Sequence, residues 1–295
     1  MDNAKTMEAP SSFGLIAGRC FIYAVLILAA LYFLMPFLVM LLTSLKSMED
    51  IRTGNLISLP AAFTFAPWRE AWGSACIGAG CSGIKPYFWN SVKMAVPAVT
   101  ISTMIGMANG YVISKWRFKG SDMFFSLLLV GCFIPFQVIL LPMASTLGSL
   151  GLSQSLVGLT LVHIVYGICF TTLFFRNYYV SIPDELIKAA RIDGAGFFRI
   201  LWKIILPLSA PIIVVSIIWQ TTQIWNDFLF GVVFSTGNNQ PITVALNNLV
   251  NTSTGVKKYN VDMAAAIIAA MPTLMIYFLA GKYFMRGLTA GSVKG

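Results

Sequence analysis

The 295 residues carry 20 Lys and Arg against 11 Asp and Glu, a formal net charge of +9, and are 57% hydrophobic but only 11% charged. Soluble domains hold about 25% charged residues, so this chain cannot clothe a water-facing surface, and a soluble enzyme is excluded. Its 22 Phe, 10 Tyr and 7 Trp exclude disorder as well. What remains is an all-α, polytopic membrane protein, in keeping with a mean hydropathy of +0.78.

Six charge-free apolar runs come near the roughly 20 residues needed to cross the hydrocarbon core. They cover residues 20–43, 94–114, 123–144, 155–175, 204–226 and 263–281. The fifth is expected to start later, because Pro207 and Pro211 disfavour one helix from Ile204, and to run past Asp227 to about Phe234. The first run is too long for a signal-peptide core and lacks a small-residue cleavage site, so it reads as a retained span. The expected organisation is a cytoplasmic N-terminus (1–19), a first span (20–43), a periplasmic loop (44–86), a core of spans two to six (87–285) with an inner loop at 176–209, and a cytoplasmic tail (286–295).

Six spans place both termini on one side. Thirteen basic residues fall inside and seven outside if the termini are cytoplasmic, which favours N-in and C-in. Lys46, just beyond the first span, works against that orientation. The basic excess needs no nucleic-acid partner, since no block of like charges occurs. The five cysteines form no metal-site pattern beside the single histidine, His163. In the outer loop, Cys76-Ile-Gly-Ala-Gly-Cys81 fits a small disulfide ring in an oxidising compartment and fits two free thiols equally well.

Ionisable groups inside spans are costly and become functional candidates. Asp227 lies about 17 residues into span five, about 25 Å along a helix, near the outer interface. It reads somewhat better as a solvated rim residue than as a buried one. Gln220, Gln223 and Asp227 share one helical face. That stripe, with Asn90 and Gln137, suits a hydrophilic path beside Trp219 and Trp225, and suits interhelical hydrogen bonding equally. Lys93, near the entrance of span two, belongs to a positive outer mouth that would attract an anionic substrate or an acidic partner. His163 reads better as a neutral side chain bonded to a neighbouring helix than as a proton relay.

The inner loop begins as a short surface helix. Pro183 suits a first helical position, Asp184 and Glu185 suit the first turn, and Asp184 and Lys188 are spaced for an ion pair. Gly194 can stop the helix with a positive φ. A connector lying on lipid headgroups would look similar. Ala189-Ala190, however, offers a small face for close approach, and Asp193-Gly194 a compact knob for a partner's socket.

Lys188-Ala189-Ala190, Asp193-Gly194-Ala195 and Ile205-Leu206-Pro207 together resemble the coupling-loop motif of permeases in binding-protein-dependent ABC importers. Phe88-Trp89-Asn90-Ser91, Trp116-Arg117-Phe118-Lys119-Gly120, Ile134-Pro135 with Leu141-Pro142, and Trp225-Asn226-Asp227-Phe228 are similar to the carbohydrate branch. The C-terminal Arg286–Gly295 is similar to the tail of the smaller, six-span partner in maltose-type pairs.

That resemblance implies a heterodimer with a second permease, two ATP-binding subunits, and a periplasmic sugar-binding protein, all in a bacterial inner membrane. ATP and Mg would reside in the partner subunits, with no cofactor bound by this chain. Glu185, Lys188, Ala189, Ala190, Asp193, Gly194 and Ala195 would couple to the ATPase by alternating access. Gly287, Thr289, Gly291 and Lys294 would reach towards its interface. Asn238, Asn239, Gln240, Asn247 and Asn248 would contact the binding protein. The substrate would be a neutral oligosaccharide or, given the basic mouth, an acidic, alginate-like one.

The family's coupling motif normally opens with Glu, where this chain has Lys188. The contact is lost, or the ATPase has exchanged charge, or Glu185 substitutes, or the partner permease carries the Glu; an Asp184–Lys188 pair is the plain alternative. An ion-coupled secondary transporter is the competing class, but it needs mid-membrane carboxylates and only Asp227 comes close. The chain has no phosphate loop of its own, so it is expected to be a transport subunit and not an enzyme.

Overall fold

The computed structural model describes residues 12–55, 57–78, 80–251 and 257–290, with side chains described at 16, 18–55, 57–78, 80–251 and 257–280. Among the described residues the regular elements are helices, with one isolated bridge pairing Ile77 and Gly80. The chain forms two compact units, Met1–Arg69 with Lys258–Ile267, and Glu70–Lys257 with Ile268–Gly295.

In the first unit, α1 (Ser12–Ser44) is apolar on every side, and Phe21, Leu28, Tyr32 and Phe33 are all exposed. A helix hydrophobic all round is a membrane span when protein does not cover it. Its end is pinned: Trp68 Nε1 donates to Ser44 Oγ at 3.2 Å, and the Thr64 amide to the Leu45 carbonyl at 3.1 Å. Ser47 caps α2 (Met48–Thr53) by accepting from the Asp50 amide. Lys46, only 2% exposed, donates to the Asn55 carbonyl (3.0 Å) and Ser58 Oγ (3.1 Å), while its own carbonyl accepts from Asn260 Nδ2 (2.9 Å). The lysine that counted against N-in is therefore a structural one, satisfied within its own chain.

In the second unit, the chain leaves α3 (Ala66–Gly73) through a small ring in which Cys76 and Cys81 are disulfide-bonded, their Cα atoms 3.8 Å apart. Helix α4 (Lys85–Lys115) starts nine residues before its apolar run, because Pro86 fits the first turn and Tyr87, Ser91 and Met94 continue a buried face. The main packing partner is α7 (Leu156–Val180), whose Ser155 cap accepts from the Gly158 amide. Ser102, Gly106 and Gly110, four residues apart, form the seam. A Cβ on Gly106 would stand 2.3 Å from Thr171 Oγ1, and one on Gly110 would stand 2.7 Å from Phe175 Cβ. Small residues at this spacing let two membrane helices approach closely, and Thr171 Oγ1 then reaches the Ser102 carbonyl at 2.8 Å.

Two expected spans are broken. The run at 123–144 is not one rod but α5 (Ser121–Phe133) and α6 (Phe136–Ser149), meeting at 103°. Pro135 pushes Ile134 out of the helical region, to ψ 122. In span five, α9 (Phe197–Ile200), a π-helical turn Leu201–Ile205 and α10 (Leu206–Leu208) meet α11 (Ala210–Asn226) at 74°. The span does not continue past Asp227. The helix stops at Asn226, and α12 (Leu229–Phe234) begins anew. Helices α13 (Ile242–Val250) and α14 (Tyr259–Ala290) complete the described chain. Among the described residues, four helices are long and apolar enough to cross a membrane, or up to six if each bent pair is one span.

Candidate functional site

The inner loop is built on α8 (Asp184–Ile192). Its C-terminus is a Schellman turn: Gly194, at φ +76, donates to the Arg191 carbonyl, and the Ala195 amide donates to Ala190 at 2.9 Å. Ile187 and Ala190 are buried in a cluster with Tyr111, Phe175, Tyr179 and Ile200. Ala189 is exposed, so the two alanines do not share one open face. The 100° step between neighbours on a helix turns Ala190 inward. Glu185, Lys188 and Asp193 are exposed, and Ala195 is half-buried. Exposed Leu186 and Ile192, the latter 86% exposed, add apolar surface.

The end of α4 holds this helix in place. Lys115 Nζ donates to the Ile182 carbonyl at 2.6 Å and to Asp184 Oδ1 at 2.5 Å. Asp184 thus takes Lys115 as its hydrogen-bonded partner, in place of the expected Lys188, because Lys115 is nearly dry and committed to this corner. The hydrogen bond and charge of Lys115 keep the Asp184 carboxyl below its usual value. Arg191 lies 4.1 Å over the Trp116 ring and donates to the Lys115 carbonyl at 3.3 Å. Trp116 Nε1 in turn donates to Tyr111 Oη. Lys115, Trp116 and Arg191 were missed as anchors in sequence; only the Trp116–Gly120 stretch carried any signal.

The expected polar stripe is partly assembled. Gln220, Gln223 and Asp227 line one cavity of about 370 Å³ with His163, Tyr166 and Trp219. Gln220 is buried and donates to Ser102 Oγ at 2.8 Å, and it fits because Gly167 opposite has no Cβ. Gln223 is exposed. Asp227 is not a solvated rim residue: its side chain is 19% exposed, and its carboxylate accepts from the Phe230 (3.4 Å) and Gly231 (3.1 Å) amides. Those bonds explain the helix break, since free amides at the start of α12 need an acceptor. His163, expected to bond a neighbouring helix, instead has its Nε2 3.7 Å from Asp227 Oδ2, without a hydrogen-bond partner.

Asn90, Lys93 and Gln137 do not line that cavity. Asn90 Nδ2 instead donates to the Asn238 (2.6 Å) and Gln240 (3.0 Å) carbonyls, pinning the outer loop. Lys93 and Gln137 are exposed. Within that loop, Asn239 bonds the Gln154 carbonyl, Asn248 Nδ2 bonds Gln240 Oε1, and Asn251 bonds Asn247. Asn238, Asn239 and Asn247 are exposed, but several of these amides brace the loop and are not free to reach outwards. At the C-terminus, α14 carries Gly287 and Thr289 onward to Ala290, past the expected tail boundary at 286, and Gly291 and Lys294 lie outside the described residues.

Bent apolar helices around a polar cavity, with an amphipathic loop helix bracketed at one end, define a polytopic membrane permease. The chain belongs to the family described as the binding-protein-dependent transport system inner membrane component, whose profile matches residues 98–289. It is 41% identical over 279 residues to a probable ABC transporter permease of Pyrococcus horikoshii, covering 94% of this chain and 98% of that protein. It is 31% identical to the xylose/arabinose import permease XacI of Haloferax volcanii, covering 90% of each. Among solved structures, a bacterial ABC transporter involved in import of the acidic polysaccharide alginate has a similar fold, with TM-score 0.78, 22% identity, and coverage of 93% of this chain and 98% of that one. The family is a transport component and not a catalyst, and membership sets aside the ion-coupled secondary transporter.

Proposed function

We propose that this chain is one of two permease subunits in an ATP-driven carbohydrate importer of the cytoplasmic membrane, oriented N-in and C-in. The observation that carries this is α8. An exposed amphipathic helix clamped by Lys115 and Arg191 can pass a push directly into α4 and α7, whose side chains share its buried cluster. One of the two ATPase subunits, which hold ATP and Mg, would dock on Glu185, Lys188, Ala189 and Ile192, and the other on the second permease. Ala190, Gly194 and Ala195 would shape the knob from beneath. A second permease would complete the pathway, and the α14 end would extend towards the ATPase interface.

Carbohydrate is the substrate class because full-length relatives include the pentose permease of Haloferax volcanii and because the cavity combines amides with aromatic faces. The Asn90-braced outer loop, with Asn238, Asn239 and Asn247 exposed, supports a binding-protein contact, and Lys93 suits an acidic face on that protein. With Asp184 hydrogen-bonded to Lys115, the exposed Lys188 favours an ATPase that offers a carboxylate where the usual motif meets a base.

The test is ATPase activity of the complex in proteoliposomes, with binding protein and a panel of neutral and uronate oligosaccharides. Stimulation by any of these sugars supports the reading. If no ATPase subunit co-purifies with the chain, or the full complex ignores every sugar, the reading fails.

A further inference from the structure

The cavity beside α7 and α11 holds a group that packing leaves unsatisfied. The His163 side chain is 5% exposed, and its Nε2 has no hydrogen-bond partner. Asp227 Oδ2, at 3.7 Å, is beyond hydrogen-bond reach. A buried polar atom without a partner destabilises by about 1–3 kcal/mol, so a group entering the cavity would find a nitrogen ready to bond. Next to it, the Asp227 carboxylate accepts from the backbone amides at the start of α12, Phe230 and Gly231 among them, and still has acceptor capacity to spare, since a carboxylate offers about four acceptor sites. Gln223 adds an exposed amide on the same wall.

Five aromatic side chains, Phe136, Tyr166, Trp219, Phe228 and Phe230, also line the cavity. Trp219 is steadied by Phe170, centroid to centroid 4.6 Å, and by Phe174 at 5.3 Å, and Tyr166 stands across from Phe170 at 5.6 Å. About 370 Å³ falls within the range of small-ligand pockets. No lysine or arginine is among the described residues lining it. An anionic ring here would face Asp227 with no countercharge, a juxtaposition that specific sites avoid.

We propose that this cavity is a subsite for a neutral, polyhydroxylated ring, with His163 Nε2, Asp227 and Gln223 bonding its hydroxyls and Trp219 offering a flat face. The proposal rests on the importer reading and narrows it: the ring held by this subunit carries no carboxylate, whatever charge the outer lysines attract.

The experiment measures ATP-dependent uptake by the complete complex in proteoliposomes, using radiolabelled neutral di- to tetrasaccharides and uronate oligomers of matching length. The wild type is expected to take up a neutral sugar. His163→Leu should raise the KM for that sugar roughly tenfold, the value of one lost hydrogen bond of about 1.4 kcal/mol, and His163→Gln should recover most of it. Gln223→Leu, on an exposed wall where folding is not at stake, should raise the KM in the same direction. Uptake of uronates alone, or a neutral-sugar KM unmoved by both leucine variants, overturns the subsite while leaving the importer intact. Absence of uptake for every sugar instead overturns the importer reading.

Discussion

Lys115 and Asp184 are 69 residues apart in sequence and 2.5 Å apart in space, but only one of them is dry: the lysine side chain is 4% exposed and the aspartate 64%. The partners therefore contribute unequally. Removing Asp184 deletes an exposed ion pair of at most about 1 kcal/mol. Removing Lys115 also strips the Ile182 carbonyl of its donor.

We expect Lys115→Met to speed hydrogen exchange across the α8 amides far more than Asp184→Asn does. Equal effects from the two variants would mean that the ion pair alone holds the loop.

The same pair sets a pH dependence. Asp184 titrates below its ordinary value in the folded protein because of the Lys115 hydrogen bond and charge. A depressed carboxyl contributes stability above its unfolded pKa and loses it as pH falls through the folded value. α8 should therefore stay docked at neutral and mildly acidic pH and loosen only below the ordinary carboxylate range. Exchange rates followed down the pH scale, with Asp184→Asn as the flat control, would show this.

Arg191 over Trp116 is a second clamp. Arg191→Ala should weaken α8 docking by about 0.5–1 kcal/mol and lower binding-protein-stimulated ATPase activity more than complex yield. A variant that assembles and stimulates like the wild type would remove Arg191 from the coupling route.

The α4–α7 seam tolerates no added bulk. Gly106→Ala puts a methyl 2.3 Å from Thr171 Oγ1, and overpacking of this kind costs about 1–3 kcal/mol. A lower thermal midpoint in detergent is expected, and Thr171→Ser should not restore it, because serine keeps the Oγ and the Cβ that the new methyl meets.

The Cys76–Cys81 ring spans a sequence separation of five. For so small a loop the chain-entropy model assigns about 2 kcal/mol. Reductant, or Cys76→Ser with Cys81→Ser, should loosen the start of α4 without abolishing insertion, as read by limited proteolysis of the outer loop.

Hydropathy and local grammar made much of this legible. Six apolar runs, Pro183 before α8 and Gly194 behind it all depend on a residue and its near neighbours. Where a break depends on something distant, the reading failed. Span five was run through Asp227 because an isolated acid in an apolar stretch looks like a helix position, whereas its carboxylate ends one helix and starts another. Asn90 looked like a pathway amide until its partners proved to be the Asn238 and Gln240 carbonyls, some 150 residues on.

The sequence by itself determined that this chain lives in a bilayer and where its loop helix lies, because burial in lipid and helix caps act on contiguous residues. Only the tertiary structure decided which polar groups meet. His163 faces Asp227, Lys115 finds Asp184, and Ala190 turns inward while Ala189 stays out. In a chain with so few charges, the neighbours of a buried polar group come from whichever helix packing brings near, and that choice is made across the fold and not along the chain.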